Sequence, residues 1–382
     1  MKKHLLSAAV ASLAVLVAGS PAARAAESSA SASPTLKDAF KNDFLIGVAV
    51  NQRQFTGEDA NGVALIKEQF NSLSPENVLK WEVIHPRAGT NGYDFSPADR
   101  YVEFGEKNGM YLVGHTLVWH AQTPRWVFQD GTNRASREVL LERMRDHIHT
   151  VVGRYKGRIK CWDVVNEALL EGGNPADTNI LRRSLWYQII GPDFIAKAFE
   201  YAHEADPDAI LRYNDYSIEN GPKRKRVIAL IKMLQAEHVP VMAIGSQTHA
   251  NLTWPSAELE DAALTDLAKL GLPIHITELD VIASRAGQRI QSADISQNNQ
   301  TADGPGAAPV DAAQQKLAAQ YADLFRVFVK HRDAVKLVTF WGLTDADSWR
   351  RNGNPLLFDG KWQPKPAFNA VIEQANPAAP AK

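Results

Sequence analysis

A single cysteine, Cys161, in 382 residues excludes an intrachain disulfide and any zinc cluster built on thiolates. Neither charge sign is in excess. The chain has 42 lysines and arginines against 43 aspartates and glutamates, so no basic surplus points to nucleic acid or to an anionic membrane surface. No glycine-rich fingerprint follows the first strand-like run, which argues against dinucleotide binding on an open doubly wound sheet. No Gly-x-Ser-x-Gly elbow supports a serine esterase. The histidines lack metal spacing: His115 and His120 do not form a metalloprotease pair, and His147 and His149 stand two apart on a predicted helix, facing different ways. Neither a metal nor a cofactor is expected. Outside the N-terminus no apolar run is long enough to span a bilayer.

What is present begins at residues 1–25. Lys2 and Lys3 precede an apolar run from Leu5 to Ala18, followed by Gly19, Ser20, Pro21 and a small-x-small site at Ala23-Arg24-Ala25. That is the order of a secretory signal peptide, too short for a stop-transfer helix; the alternative is an uncleaved anchor. Residues 26–35 read as a flexible Ser/Ala-rich leader, 36–376 as one domain, and 377–382 as a Pro/Ala-rich tail. The chain is therefore expected to be secreted or periplasmic, free of the membrane after signal cleavage, and monomeric.

The domain alternates short β-rich runs with amphipathic stretches. Strands are expected at Phe44–Asn51, Asn71–Pro75, Met110–His120, Ile159–Glu167, Ile210–Tyr216, Val241–His249, Ile274–Val281 and Lys336–Thr344. Helical spacing joins Leu140, Met144, Ile148 and Val151; Val227, Leu230, Ile231 and Leu234; and Leu317, Tyr321, Leu324 and Phe328. Such alternation implies a parallel sheet, and eight units fit a single (β/α)8 TIM barrel in the α/β class. Ser284–Pro309, after the seventh strand, is a polar insertion that interrupts the rhythm; it is either a functional loop or a disordered one.

In such a barrel the active residues stand at the C-terminal ends of strands. There the apolar runs end in carboxylates, imidazoles, amides and indoles. A lone glutamate at a strand end is ordinarily a solvated rim residue. Glu167 and Glu278 end the fourth and seventh strands, so a closed barrel sets them across the mouth from each other. Glycoside hydrolysis needs two carboxyls flanking the bond. Trp162, inside the fourth strand, is expected in the core, as is Cys161.

The segments Trp162-Asp163-Val164-Val165-Asn166-Glu167, Ile276-Thr277-Glu278-Leu279-Asp280 and Gly114-His115-Thr116-Leu117-Val118-Trp119-His120 resemble the signatures of glycoside hydrolase family 10, the endo-β-1,4-xylanases. So do Pro75-Glu76-Asn77 with Lys80-Trp81, Gly245-Ser246-Gln247-Thr248-His249, and Pro355-Leu356-Leu357-Phe358-Asp359. The resemblance covers Leu36 to Asn376. It implies a retaining double displacement on xylan and xylo-oligosaccharides, with Glu167 as acid/base and Glu278 as nucleophile. Carboxyls in such enzymes lie about 5–5.5 Å apart, and their mutual repulsion is expected to raise the proton affinity of Glu167.

The resemblance further implies that Asp280 and His249 form a chain to Glu278. It implies that Asn166 and Gln247 hold the 2-hydroxyl of the reacting sugar, though each could instead make a structural hydrogen bond. Glu76, Asn77 and Lys80 match a clamp on sugar hydroxyls. His115, Trp119, Trp341 and Trp349 match the enclosure of the reacting sugar. Tyr216 is expected to line the leaving-group side, and Gln122, Asn214 and Asp215 are weaker substrate contacts, each with structural hydrogen bonding as its alternative. The rivals are another retaining β-glycanase, such as a cellulase or mannanase, and a non-catalytic xylan-binding barrel. The two indoles, which would crowd a hexose CH2OH, oppose the first; two intact carboxylates oppose the second.

Overall fold

The computed structural model describes residues 34–170, 179–283 and 311–375. The expected signal peptide, most of the expected leader, the expected tail and the Ser284–Pro309 insertion lie outside the described residues. Eight parallel strands follow in chain order: β1 Leu45–Val50, β2 Ser72–Pro75, β3 Tyr111–Gly114, β4 Cys161–Asn166, β5 Ile210–Asp215, β6 Ala243–Ser246, β7 Ile274–Ile282 and β8 Val335–Phe340. Each bonds to the next. β8 returns to β1, with Leu45 opposite Leu337 and Val48 opposite Phe340, and closes the expected barrel.

Strands covered on both faces need no polar alternation, and β4 and β7 are buried at every position. The helices bury the stripes their spacing predicts. Helix Arg137–Arg154 begins where the Ser136 side chain accepts from the amide of Val139, and it turns Leu140, Met144, Ile148 and Val151 inward. Helix Gly221–Ala236 buries Val227, Leu230, Ile231 and Leu234. Leu317, Tyr321, Leu324 and Phe328 of helix Asp311–Lys330 are fully buried.

Two strands that the sequence reads as continuous are broken, both on the rim, and β8 ends at Phe340 rather than Thr344. β3 stops at Gly114, and pairing resumes only at Val118–Trp119. In between, the hydroxyl of Thr116 and the amide of Leu117 both donate to the carbonyl of Asp163, so this stretch leaves the ladder. β6 stops at Ser246 and pairing resumes at His249–Asn251, with Thr248 in the left-handed region at φ 53°. Trp162 lies in the core as expected; a Cβ at Gly114 would overlap its ring, so only glycine fits there.

The barrel interior is not wholly apolar. Arg212 of β5 grips Asp163 of β4 with two hydrogen bonds of 2.6 and 2.9 Å, and its third nitrogen donates to His275 of β7 at 2.9 Å. Burial alone would raise the Asp163 carboxyl, but Arg212 and His115 outweigh it and hold it at about 2. Burial and the neighbouring guanidinium push His275 down to about 3, which keeps it a neutral acceptor.

Candidate active site

The C-terminal strand ends surround a cavity of about 300 Å3. Glu167 leaves β4 with a φ of 57°, and its amide donates to the carbonyl of Asn214 at 2.9 Å. Its carboxyl accepts from Gln247 Nε2 at 3.0 Å, from Asn166 Nδ2 at 3.3 Å and from Trp119 Nε1 at 2.9 Å. Burial lifts it to about 7. The bonds from Gln247 and Trp119 pull it down, while the charges of Asp215 and, last, Glu278 push it up. The expected rise is present, but its main cause is desolvation rather than repulsion by the second carboxylate.

Glu278 sits on β7 at a shift in register. Its Oε1 accepts from Asn214 Nδ2 at 2.9 Å, and its Oε2 lies 3.2 Å from His249 Nε2. His249 Nδ1 stands 3.1 Å from Asp280 Oδ2. Burial alone would lower the imidazole, but Asp280 and Glu278 outweigh it and hold it up at about 9, an imidazolium at neutral pH. Asp280 in turn accepts from Arg350 Nη1 at 2.9 Å and from Trp349 Nε1 at 3.0 Å. Against burial, Arg350 and His249 keep its carboxyl below the ordinary range. Three amides link the two glutamates: Asn166 Oδ1 accepts from Asn214 Nδ2 at 3.0 Å and from Gln247 Nε2 at 3.3 Å. A Cβ at Gly245 would overlap the Asn214 side chain, so β6 makes room for the amide that holds Glu278.

Beside the carboxyls, the loop after β2 brings Glu76, Asn77 and Lys80 to the cavity. Lys80 Nζ donates to Asn77 Oδ1 at 3.1 Å and to Gln122 Oε1 at 2.9 Å, and it rides 5.0 Å above the Trp119 ring. Burial raises Glu76 to about 7 despite Lys80, helped by the charge of Asp347. Burial also lowers Lys80, although the carboxylates Glu278, Glu76 and Glu167 oppose it. His115 bonds to Asp163 at 2.9 Å and meets the Trp341 ring edge-on at 5.1 Å. Trp341 and Trp349 complete the wall.

Three expected substrate contacts are corrected: Asn214, Tyr216 and Asp215, the last fully buried, paired with Lys223 and outside the cavity lining. Asn214 is fully buried and bonds to Glu278, Asn166 and Thr277. Tyr216 is fully buried too, its hydroxyl accepting from Arg182 and its ring lying 4.2 Å under Lys223 Nζ. Neither lines the cavity, and neither does Asp280, which acts from behind His249. The corresponding strand-end positions face the interior or the helix layer rather than the mouth. Asp347, Ser348 and Arg351 do line it and were not anticipated. Their signal was the polar run Asp345-Ala346-Asp347-Ser348 between Trp341 and Trp349. Asp347 accepts from Asn51 at 3.4 Å and from Gln54 at 3.2 Å, residues that follow β1.

The profile described as Glycosyl hydrolase family 10 matches residues 35–374. An endo-1,4-beta-xylanase A from Caldicellulosiruptor sp. is 44% identical over 352 residues; the match takes in 89% of this chain but 47% of that one, so the chain spans about half of that relative. An endo-1,4-beta-xylanase of Geobacillus stearothermophilus is 40% identical, with 89% of this chain and 98% of the relative covered. Among solved structures, a family 10 endoxylanase from a sugarcane soil metagenome is 40% identical with a TM-score of 0.82, covering 88% of this chain and 99% of that chain. The paired glutamates at facing strand ends thus stand in a barrel whose likeness runs through nearly the whole described chain, which belongs to glycosyl hydrolase family 10.

Proposed function

We propose that the chain is a retaining endo-β-1,4-xylanase in which Glu278 is the nucleophile and Glu167 the acid/base. The observation that carries this is the contrast between two carboxyls on one cavity. Glu167 is buried with its proton affinity raised to about 7, while Glu278 accepts from an amide and from an imidazolium. A group held protonated near neutrality can protonate a leaving oxygen, and a carboxylate braced by two donors can attack the anomeric carbon. Attack forms a glycosyl ester on Glu278 and expels the aglycone, which leaves with the proton of Glu167. Glu167, now ionised, takes a proton from water as that water attacks the ester, and Glu278 is released as carboxylate.

The relatives' names supply the substrate, and Trp341 and Trp349 supply its physical rationale. An indole face packs on the C–H face of a pyranose, and two indoles beside the reacting sugar leave little room for a hexose CH2OH. Initial rates of reducing-sugar release on xylan, carboxymethylcellulose and mannan test the assignment; a faster rate on either of the latter two overturns it. Trp341→Ala should narrow the gap between aryl xylobioside and aryl cellobioside by about 10–200-fold, the equivalent of about 1–3 kcal/mol for a methylene-sized contact. An unchanged ratio would refute steric exclusion.

The Lys2, Lys3, Leu5–Ala18 and Ala23-Arg24-Ala25 pattern supports export of the enzyme to the xylan outside the cytoplasm. N-terminal sequencing of the mature protein should begin at Ala26, and an intact Met1 would overturn export by cleavage.

A further inference from the structure

Glu167 is a non-glycine residue with a left-handed backbone, φ 57°. That conformation is disfavoured for an L-residue and persists only where the surroundings over-determine it. The surroundings here do so, residue by residue. The carbonyl of Glu167 accepts from Arg182 Nε at 3.1 Å. The amide of Ala168 donates to the hydroxyl oxygen of Tyr213 at 3.2 Å. The carbonyl of Leu169 accepts from Lys223 Nζ at 3.2 Å.

The last two bonds converge on one carboxylate. The Tyr213 hydroxyl donates to Asp215 Oδ2, and Lys223 Nζ pairs with Asp215 Oδ1 at 2.9 Å. The same Oδ1 accepts from the amide of Tyr216 at 2.9 Å. Tyr213, Asp215 and Lys223 are all fully buried, and none lines the cavity. Lys223 comes from helix Gly221–Ala236, in the layer outside the barrel. Burying a lysine and an aspartate together seldom adds net stability over apolar residues of the same size, so stability alone does not account for this arrangement.

We propose that Tyr213, Asp215 and Lys223 form a buried clamp that fixes the turn after β4, so that the Glu167 carboxyl meets the leaving oxygen in register. They are positioning residues, acting on the reaction only through Glu167, and the proposal rests on the acid/base assignment made above. The charge of Asp215 also works in the same direction as burial on Glu167, ahead of Glu278.

A displaced acid has a signature that a merely weakened fold lacks. Misplacement of about 1 Å can cost about 100-fold in rate, but the loss is felt only where the leaving group needs a proton. A fold that is partly lost removes whole molecules and lowers every substrate alike. The experiment compares kcat/KM on xylotetraose with that on 2,4-dinitrophenyl xylobioside. The variants are Tyr213→Phe, which keeps the ring and cuts both hydroxyl bonds, and Lys223→Met, which keeps length and removes the charge. Glu167→Ala serves as control.

The expected result for both variants is a loss of about tenfold or more on xylotetraose with less than about a twofold change on the activated glycoside. If Glu167→Ala separates the two substrates and Tyr213→Phe does not, the clamp is overturned while the acid/base assignment stands. If Glu167→Ala itself fails to separate them, the acid/base assignment falls and the clamp falls with it. Should Lys223→Met not fold, Tyr213→Phe alone decides.

Discussion

Glu278→Ala should lose turnover on xylan by on the order of 10⁴-fold or more, the scale seen when a covalent nucleophile is removed from an otherwise intact site. The loss should come without collapse of the site. Asn214 keeps its bonds to Asn166 and Thr277, and His249 keeps Asp280. Removing a buried carboxylate beside an imidazolium leaves His249 with one negative partner instead of two, so its proton affinity should drop from about 9. Added azide should give no product of retained configuration, because the face that carried the ester is now empty. Labelling by a 2-fluoro-xylobioside, followed by peptide mapping, is the direct check. A label on a peptide without Glu278 would remove the assignment.

Glu167→Ala should cost about 10²–10⁴-fold on substrates with poor leaving groups, the usual contribution of general acid catalysis, and far less on activated aryl glycosides. Azide should here yield a β-glycosyl azide, since attack on the intact ester no longer needs a base. The pH profile supplies a second measurement. Glu167 has to be protonated in the free enzyme to act as acid, so kcat/KM of the native protein should fall as pH rises through about 7. The variant should lack that limb on activated substrates. Equal losses on both substrate classes, or a limb that survives the substitution, would exclude Glu167 as acid. Because burial and Asp215 raise this group more than Glu278 does, esterification of Glu278 should lower its proton affinity only modestly.

The barrel was legible because its strands are buried on both faces and so appear as unbroken apolar runs between helical periods. Their ends were less so. The pleat sends successive side chains to opposite faces, and a position near a strand end reveals the rim but not the face. Asn214 and Arg212 share one side of β5 and meet Glu278 and Asp163 inside the barrel. Tyr213 and Asp215, on the other side, bond to each other, and Asp215 pairs with Lys223 from the helix layer. Reading Asn214, Asp215 and Tyr216 as facing substrate therefore failed for all three. Asp347 and Arg351 escaped notice for a different reason: they come from an irregular segment after β8, where no period constrains direction. The charged pair Asp163–Arg212 stood in plain view within two apolar runs, and each member required a partner that only the closed barrel supplies.

Trp341 and Trp349 look interchangeable in composition, yet only one is mechanically independent. Trp341 meets His115 across ring edges. Trp349 donates its indole N–H to the same Asp280 oxygen that faces His249. Adaptation to new sugars can therefore proceed through Trp341 as a detachable part of the wall. At Trp349 any change in which sugar fits is tied to a change in how firmly Glu278 is aimed, because neighbours sharing a partner do not vary additively. Selection for a broader diet would find one indole free to drift and the other bound to the reaction it encloses.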